Sequence, residues 1–388
     1  MSIFHRLKHA LFPSRLRREM KELYSSVAIL DFALSSVLIF EPIYLWQQGF
    51  SLADIMLFFV GVYVLYILVL PIGASYARRH GFEHSILLAS PFIILYYVCF
   101  FIIPSAPAAI YGAVVALALY KAFYWPAYHA DFAFYSQQEE RGREIGSLIV
   151  LDNLVYILGP IVGGLLLTWL GFPALFIFVI IVVLASNIPL LSTSEPAGGK
   201  PFRMHEALST LWAKGHRRAH LSYVGFGEEL IVLTAWPLFL FLVIGNYAST
   251  GLIIAGSTLL SSLTVLIIGH LTDRRESTVV MRAGTILYAM VWLFRIVVRS
   301  APFALVADAS SRISKQMIAI PIVSTMYRRA LRESVVATVV AFEIALSVGK
   351  ILAALLVIVL TVLFPPGWTA AFILAAAFTL FFALDRHD

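Results

Sequence analysis

Ionisable side chains occur inside stretches of this chain that are otherwise apolar. The basic ones are Lys121, Arg295, Arg312, Lys315 and Lys350, and the main acidic ones are Asp31, Glu41, Asp131, Asp152, Glu228, Glu229, Asp308 and Glu343. A charge at the centre of a bilayer costs about 3 kcal/mol on insertion scales, so such residues persist where they are paired or face a water-filled cavity. A desolvated ammonium group attracts carboxylate or phosphate, and a buried carboxyl group is suited to proton exchange. These residue types therefore predict a polar site within an apolar protein.

The composition places these residues in a membrane. Of 388 residues, 61% are apolar and 13% are charged, and the mean hydropathy is +0.90. Soluble domains are about half apolar and a quarter charged, so this chain has too much apolar surface for a water-soluble core. The net charge of +6 does not indicate a nucleic-acid partner, because the sequence has no basic stripe interleaved with exposed aromatic residues.

Twelve apolar stretches are long enough to span a bilayer, for which about 20 residues are needed. They cover roughly residues 24–46, 53–77, 84–103, 107–134, 145–170, 173–192, 219–244, 249–272, 279–298, 302–327, 334–363 and 367–385. They are apolar on all faces, which indicates helices and not the strands of a barrel. The predicted fold class is an all-α membrane protein with twelve transmembrane helices in two pseudo-symmetric six-helix bundles.

The basic residues predict the orientation of these helices. Of the 28 Lys and Arg residues, 22 lie in the N-terminal segment, in every second gap between spans, or at the C-terminus. Basic loops stay on the cytoplasmic side, so both termini are predicted to be cytoplasmic in a multi-pass protein of the cell membrane. The other gaps contain a single basic residue, Arg299.

A loop at 193–218 divides six predicted spans from six. We expect a cytoplasmic interfacial segment at 1–23, one bundle at 24–192, the cytoplasmic linker at 193–218 and a second bundle at 219–388. An offset of 195 residues supports a duplication, because it pairs Pro42 with Pro237, Pro126 with Pro321 and Arg79 with Arg274.

Three motifs, together with this organisation, give the chain a resemblance to the major facilitator superfamily. After span 8, the segment from Gly269 through Asp273 and Arg274 is similar to that family's G-x-x-x-D-R loop signature. After span 2, Arg79 and Gly81 match the related loop, but Arg78 stands where the family has Asp. In span 5, Gly159-Pro160-Ile161-Val162-Gly163-Gly164 is similar to the family's G-P-x-x-G-G signature, whose small residues let helices approach closely.

The resemblance implies a substrate path between the two halves. In the family, spans 1, 4, 7 and 10 line this path, spans 2, 5, 8 and 11 lie beside it, and spans 3, 6, 9 and 12 pack outside. Most of the charges inside the apolar stretches fall on spans expected near the path. Arg295, on span 9, is the exception, and we expect its side chain to extend to the membrane interface.

Depth along the helices separates two groups of candidate site residues. Lys121, Arg312 and Lys315 fall near mid-membrane, and the spacing of Asp308 and Arg312 permits an ion pair. The candidate substrate-binding residues are Lys121, Trp125, Tyr128, Arg312 and Lys315. The candidate proton-coupling residues are Asp31, Glu228, Asp152 and Glu343. The alternative interpretation, that these charges form structural ion pairs between helices, stays open at this stage.

The function predicted from the sequence is secondary active transport of a small organic solute by alternating access, coupled to protons. The span-5 signature favours export. No nucleotide-binding loop, nucleophile elbow or H-E-x-x-H motif occurs, and the single cysteine, Cys99, excludes a cysteine-based metal site. We therefore expect a monomer that is not an enzyme and has no cofactor or metal; its partners are the solute, protons and membrane lipids. The alternatives are a lipid or amphiphile flippase of the same fold, and a polytopic membrane enzyme or sensor.

Overall fold

The computed structural model describes residues 18–135, 141–192, 202–213, 215–274 and 277–385. Most of the predicted interfacial segment at 1–23, and the start of the predicted linker at 193–218, lie outside these residues. All the regular elements of the described residues are helical.

Fifteen α-helices follow one another in the described part of the chain. They are α1 (Arg18–Val37), α2 (Glu41–Gln47), α3 (Leu52–His80), α4 (Phe82–Ile102), α5 (Ala109–Tyr135), α6 (Arg141–Ser186), α7 (Met204–Trp212), α8 (Arg217–Tyr223), α9 (Gly227–Leu233), α10 (Ala235–Ile244), α11 (Tyr247–Arg274), α12 (Ser277–Arg295), α13 (Ala301–Arg332), α14 (Val335–Leu363) and α15 (Trp368–Thr379). Short 3-10 segments follow α6, α8 and α15.

Local sequence explains where several of these helices begin and end. Helix α3 begins with a capping box in which the Ser51 side chain accepts from the Asp54 backbone and Asp54 accepts from the Ser51 backbone. It ends at Gly81, whose φ of 106° is a conformation that residues with a Cβ rarely adopt. Helix α6 contains two helical stretches joined at Gly171, which has non-helical backbone angles. Spans 5 and 6 are therefore two helices that meet at Gly171, as the predicted boundary between residues 170 and 173 implies.

Eight helical segments in the described residues are long and apolar enough to cross a membrane. They are Lys21–Gln47, Leu52–His80, Phe82–Ile102, Ala109–Asp131, Leu151–Leu191, Arg217–Ile244, Thr278–Arg295 and Val335–Leu363. The Leu151–Leu191 segment includes the kinked pair of predicted spans 5 and 6. Predicted spans 8, 10 and 12 are also helical, as α11, α13 and α15, but are not among the eight. Helix α13 does not qualify because it carries charged residues and many serines, and α15 does not qualify because it is short.

Two large clusters of buried apolar side chains form the interior. One lies mainly among helices α1 to α6, and the other lies mainly among helices α8 to α15 and also includes residues of α3 and α5. Helix α3 packs along α14, and α6 packs along α11, so both pairs join the first half of the chain to the second.

The glycines predicted to allow close helix packing lie at two helix–helix contacts, one between α6 and α1 and one between α6 and α11. A Cβ on Gly159 would clash with Ser35, and one on Gly163 would clash with the backbone oxygen of Ser36, both on α1. A Cβ on Gly164 would lie 2.8 Å from the backbone oxygen of Tyr247 at the start of α11. Next to Gly159, Pro160 is in the interior of α6, and its carbonyl lies against Gly251 of α11. This segment of α6 therefore packs tightly against both α1 and α11.

Candidate functional site

Two adjoining cavities lie where the first and second halves of the chain meet. We call them the Lys121 cavity and the Lys315 cavity, and each has a volume of about 330 Å³. The polar residues that line the Lys121 cavity are Asp31, Glu41, Tyr63, Tyr96, Tyr97, Tyr120, Lys121, Tyr124, Trp125, Tyr156, Glu229 and Lys350. Those that line the Lys315 cavity are Ser35, Asn153, Tyr156, Glu228, Glu229, Thr258, Ser261, Tyr288, Asp308, Ser311, Arg312, Lys315 and Gln316. Tyr156 and Glu229 line both, so the cavities form one polar region.

The ammonium group of Lys121 lies among aromatic rings and interacts electrostatically with Glu41 and Glu229, without a direct ion pair in the described residues. Its Nζ lies 5.2 Å from the ring centre of Tyr63, 5.9 Å from that of Tyr66 and 5.8 Å from that of Trp125. Among the described residues, it forms no hydrogen bond or ion pair. The rings attract a cation but do not neutralise its charge. Lys121 is therefore a cavity-facing cation that remains available for an anionic ligand.

Lys350, the other lysine of this cavity, is already paired. Its Nζ lies 2.7 Å from Glu229 Oε2 on α9, and 5.2 Å from the ring centre of Tyr63. This ion pair connects α14 to α9 beside Lys121. Lys350 is therefore occupied by a carboxylate, whereas Lys121 can bind a ligand, although both lie within apolar stretches of the sequence.

Glu41 forms a buried cluster with two tyrosines at another part of the Lys121 cavity. The hydroxyl groups of Tyr96 and Tyr97 donate to its two carboxyl oxygens at 3.0 and 2.9 Å. Span 3, which supplies both tyrosines, was expected to pack outside the path, and span 9 likewise supplies Tyr288 to the Lys315 cavity. A tyrosine side chain is long enough to reach the cavity from a peripheral helix, so the expectation for these two spans overlooked side chains that they contribute to the site. The adjacent pair Tyr96-Tyr97 in an apolar span was the signal that sequence analysis missed.

Asp31 and Asp152, two of the predicted proton-coupling residues, lie close to each other. Their carboxyl groups interact electrostatically, and Tyr156 interacts with both. Within the described residues, neither aspartate forms a hydrogen bond or an ion pair, and Asp152 Oδ1 is buried. Asp31 lines the Lys121 cavity. The pair is therefore two neighbouring carboxyl groups with no ion-paired cation in the described residues.

Lys315 and Glu228 are paired with each other across α13 and α9. Lys315 Nζ contacts Glu228 Oε1, and the Tyr288 hydroxyl donates to Glu228 Oε2 at 2.6 Å. Glu228 is completely buried. The sequence assigned Lys315 to the solute and Glu228 to protons as separate groups, but each neutralises the other here. This ion pair crosses between helices, which sequence spacing does not reveal.

Arg295 was expected to reach the membrane interface, and this expectation was wrong. Its side chain is 0% exposed and lies between the rings of Trp236 and Trp292, with Cζ 4.2 and 4.1 Å from their centres. Its guanidinium donates to Ser311 at 2.8 Å and lies 3.6 Å from Asp308. The physical reason is that two indole rings and a carboxylate stabilise the cation inside the protein.

Asp308 connects this buried arginine to the Lys315 cavity. It accepts a hydrogen bond from Arg312 Nε at 2.8 Å and one from Trp236 Nε1 at 2.9 Å. Arg312 lines the cavity, and 29% of its side chain is exposed. Arg312 thus carries a partly accessible guanidinium that is already bonded to one carboxylate.

The remaining predicted solute and proton residues lie at different distances from the cavities. Trp125 lines the Lys121 cavity, whereas Tyr128 stacks on Tyr124 and lines neither cavity. Glu343 also lies outside both, and accepts from the Tyr66 hydroxyl at 2.9 Å. It lies 3.6 Å from His129 Nε2, so these groups join α3, α5 and α14.

The predicted loop residues are described only in part. Arg79 is exposed and forms no hydrogen bond or ion pair within the described residues, and Gly81 lies at the end of α3. The backbone of Gly269, Asp273 and Arg274 belongs to α11, but their side chains lie outside the described residues.

Arg78, at the position where the family has Asp, contacts the part of the predicted linker that forms α7. Its Nη1 donates to Glu206 Oε2 of α7 at 3.0 Å, and Ser75 donates to the Phe202 carbonyl at 2.8 Å. Partial burial acts to raise the pKa of Glu206, but the Arg203 backbone N–H and the Arg78 guanidinium lower it overall. Because α7 also packs on α14, this ion pair ties α3 to the second half of the chain.

Reversing this ion pair should loosen the contact between α3 and α7. An exposed pair contributes about 0.2–1 kcal/mol, so Arg78→Glu or Glu206→Arg should shift a conformational equilibrium by up to about fivefold. The shift would be measured as a distance distribution between spin labels at His80 and Arg332, both exposed, with Cys99 replaced by serine. The double reversal should restore the native distribution. An unchanged distribution in both single variants would show that the pair does not hold these ends together.

Comparison with known proteins identifies the class. A family model described as Major Facilitator Superfamily matches residues 23–247. The chain therefore belongs to the Major Facilitator Superfamily and is a multi-pass membrane transporter. No curated protein sequence matches it.

A solved structure has the same fold. The crystal structure of the human organic anion transporter MFSD10 (TETRAN) is similar, with a TM-score of 0.69 and 15% sequence identity. The match covers 95% of this chain and 99% of that one. At this identity the likeness is one of fold.

Proposed function

We propose that this protein is a secondary active transporter for a small organic anion with an aromatic or apolar part, and that it works by alternating access. The observation that carries the proposal is the unpaired ammonium group of Lys121, which faces a cavity between the two halves and is surrounded by aromatic rings. An anionic group would bind Lys121, and the apolar part would contact Tyr63 and Trp125. Few polar groups in an otherwise apolar, aromatic cavity are typical of sites for small molecules.

The proposed architecture is that of twelve membrane crossings in two bundles, 24–192 and 219–388, joined by the linker at 193–218. The two buried clusters and the contacts of α3 with α14 and of α6 with α11 support this division. The alternation of basic loops supports cytoplasmic termini in the cell membrane. Rocking of the two bundles would expose the Lys121 cavity to each side in turn.

The likeness to an organic anion transporter supports the class of cargo. The human protein of similar fold is described by that activity. In the present chain, the chemistry of the cavity agrees with it, because Lys350, Lys315 and Arg312 all form ion pairs with carboxylates and Lys121 forms none in the described residues. We therefore assign the negative group of the cargo to Lys121, and the carboxyl groups of Asp31 and Asp152, which also lack an ion pair in the described residues, to protons.

Proton coupling is proposed to depend on Asp31 and Asp152. Two neighbouring carboxyl groups that lack a cation partner are suited to hold and release one proton. Asp31 lines the same cavity as Lys121, so a proton and an anion would occupy one compartment. Glu228 and Glu343, which have partners, are less suited to this role. The span-5 signature supports export, and a monomer is sufficient because the cavity is formed within one chain.

Asp31→Asn should uncouple transport from the proton gradient. The amide has a similar size and leaves no described partner unpaired, so the protein should fold and still carry the anion down its own gradient. Flux at a series of imposed pH differences should become flat in the variant. Asp54→Asn, a change at an exposed aspartate whose replacement can still accept the capping hydrogen bond from the Ser51 backbone, is the matched control. A wild-type dependence on pH difference in Asp31→Asn would assign Asp31 a structural role.

Flux in proteoliposomes tests the transport proposal. The purified protein would be reconstituted, a pH difference imposed, and uptake or efflux measured for a library of aromatic carboxylates, sulfonates and phosphates, with matched amines and neutral compounds. We expect gradient-dependent flux for some anions and none for the matched amines. Flux of amines only, or of no compound in the library, would contradict the proposal.

A further inference from the structure

A third cavity, larger than the two central ones, opens away from the central site. We call it the Arg299 groove, and its volume is about 850 Å³. Helices α10, α14 and α15 and the segment after α12 form its walls, including Phe239, Ile296, Leu360, Trp368 and Phe372. Its size lies within the ~300–1,000 Å³ range of ligand-binding pockets. The walls are almost entirely apolar, with one charged residue.

That charged residue is Arg299, which is exposed in the loop between α12 and α13. Its Nη1 donates to the carbonyl oxygens of Ile296 and Val298, at 2.9 and 2.7 Å, at the end of α12. In the described part of the chain, its Nε and Nη2 form no hydrogen bond or ion pair. These contacts fix the guanidinium at the groove and leave two of its nitrogens free to donate.

Arg299 is also unusual in the sequence. It is the one basic residue in the gaps that the charge pattern places on the side opposite the linker. The orientation rule therefore does not account for it, because basic residues are otherwise concentrated in the alternate gaps. The loop 364–367, between α14 and α15, lines the groove as well, so the mouth lies at loop level and the apolar walls lie along helices.

We propose that the Arg299 groove is a binding site for an anionic phospholipid, with an acyl chain between α10, α14 and α15 and the headgroup phosphate on Arg299. An apolar wall along helices with a guanidinium at loop level matches the two parts of a lipid in the order in which a bilayer presents them. The guanidinium is suited to phosphate because it donates more than one hydrogen bond in a fixed geometry. The site is separate from the proposed transport cavities and does not depend on the cargo.

The base of the groove adjoins the central site. Phe372 is fully buried, and its ring centre lies 6.1 Å from the ring centre of Trp236 and 5.8 Å from that of Trp292. These are the rings that enclose Arg295. An acyl chain in the groove would therefore contact the outer side of the aromatic layer that holds the Arg295–Asp308 pair in place.

Trp368, which lines the groove, provides a direct optical test. The full-length protein in detergent micelles would be titrated with phosphatidylglycerol or phosphatidylcholine bearing brominated acyl chains, which quench nearby tryptophans. The signal of Trp368 is obtained as the difference between the wild type and Trp368→Phe. We expect half-maximal quenching at about fivefold lower phosphatidylglycerol than phosphatidylcholine, since one basic residue near a headgroup contributes about 1 kcal/mol.

Three variants decide whether the groove and Arg299 are responsible. Arg299→Gln should remove the preference for phosphatidylglycerol, and Arg299→Lys should keep part of it. Arg217→Gln, at an exposed arginine within the predicted linker, should leave it unchanged. Ala370→Phe, which fills the groove, should weaken quenching by both lipids. Equal quenching by both lipids in the wild type, a preference that survives Arg299→Gln, or undiminished quenching in Ala370→Phe would each overturn the proposal.

Discussion

Lys121→Ala is expected to lower the apparent affinity for the transported anion by about 10- to 100-fold, because a hydrogen bond to a charged group contributes about 1.5–3 kcal/mol. In the structure, Lys121 forms no ion pair within the described residues, and the two acids that interact with it at longer range, Glu41 and Glu229, keep their own hydrogen-bonded or ion-paired partners. The variant should therefore remain folded, with a thermal midpoint close to that of the wild type. Concentration-dependent flux in proteoliposomes gives the affinity, and thermal unfolding in detergent gives the stability.

Two further substitutions show whether the charge itself is needed. Lys121→Arg keeps the positive charge and should retain much of the flux, although its larger head must fit among Tyr63, Tyr66 and Trp125. Lys21→Ala, at an exposed lysine near the start of α1, should behave as the wild type. Wild-type affinity in Lys121→Ala would remove this residue from the binding site.

Lys315→Ala is expected to destabilise the protein, by about 3–5 kcal/mol, because it leaves the charge of Glu228 buried without its partner. The sequence analysis placed Lys315 among the candidate substrate-binding residues, for which a loss of flux without unfolding would be expected. The structure changes the prediction, since Lys315 contacts the completely buried Glu228. Thermal unfolding in detergent should show a clearly lower midpoint for Lys315→Ala than for Lys121→Ala.

The double variant Lys315→Met/Glu228→Gln is the control for this second prediction. It removes both charges and keeps side chains of similar length, so it should recover most of the lost stability. Flux measured in the double variant then reports on function apart from folding. A stable Lys315→Ala protein with strongly reduced flux would contradict the structural role and return Lys315 to the anion-binding site.

Sequence reasoning located the helices because their lengths and apolar runs are local properties. The predicted spans coincide with helical segments, and the charged residues near the path were identified by their position within these spans. The family was also within reach of the sequence, because the motifs around Gly159 and Gly269 are contiguous in the chain. The sequence predicts twelve membrane crossings, whereas eight helical segments in the described residues meet the criteria of length and apolarity for a membrane span.

The pairing of charges was not predictable in the same way. Glu228 with Lys315, and Glu229 with Lys350, are joined across helices far apart in sequence. The spacing of Asp308 and Arg312 by four residues did reveal their ion pair, which lies within α13. Arg295 was misplaced because its position near a helix end suggested access to the interface, whereas two tryptophans enclose it.

Proton movement driven by the solute tests the central claim most directly. Proteoliposomes with no initial pH difference would be given a gradient of a transported anion, and the internal pH would be followed with an enclosed dye. A proton-coupled transporter should change the internal pH in the wild type, more slowly in Lys121→Ala, and not at all in Asp31→Asn while anion flux continues. Anion flux without any pH change in the wild type would contradict proton coupling, and an absence of both would contradict transport of that class of solute.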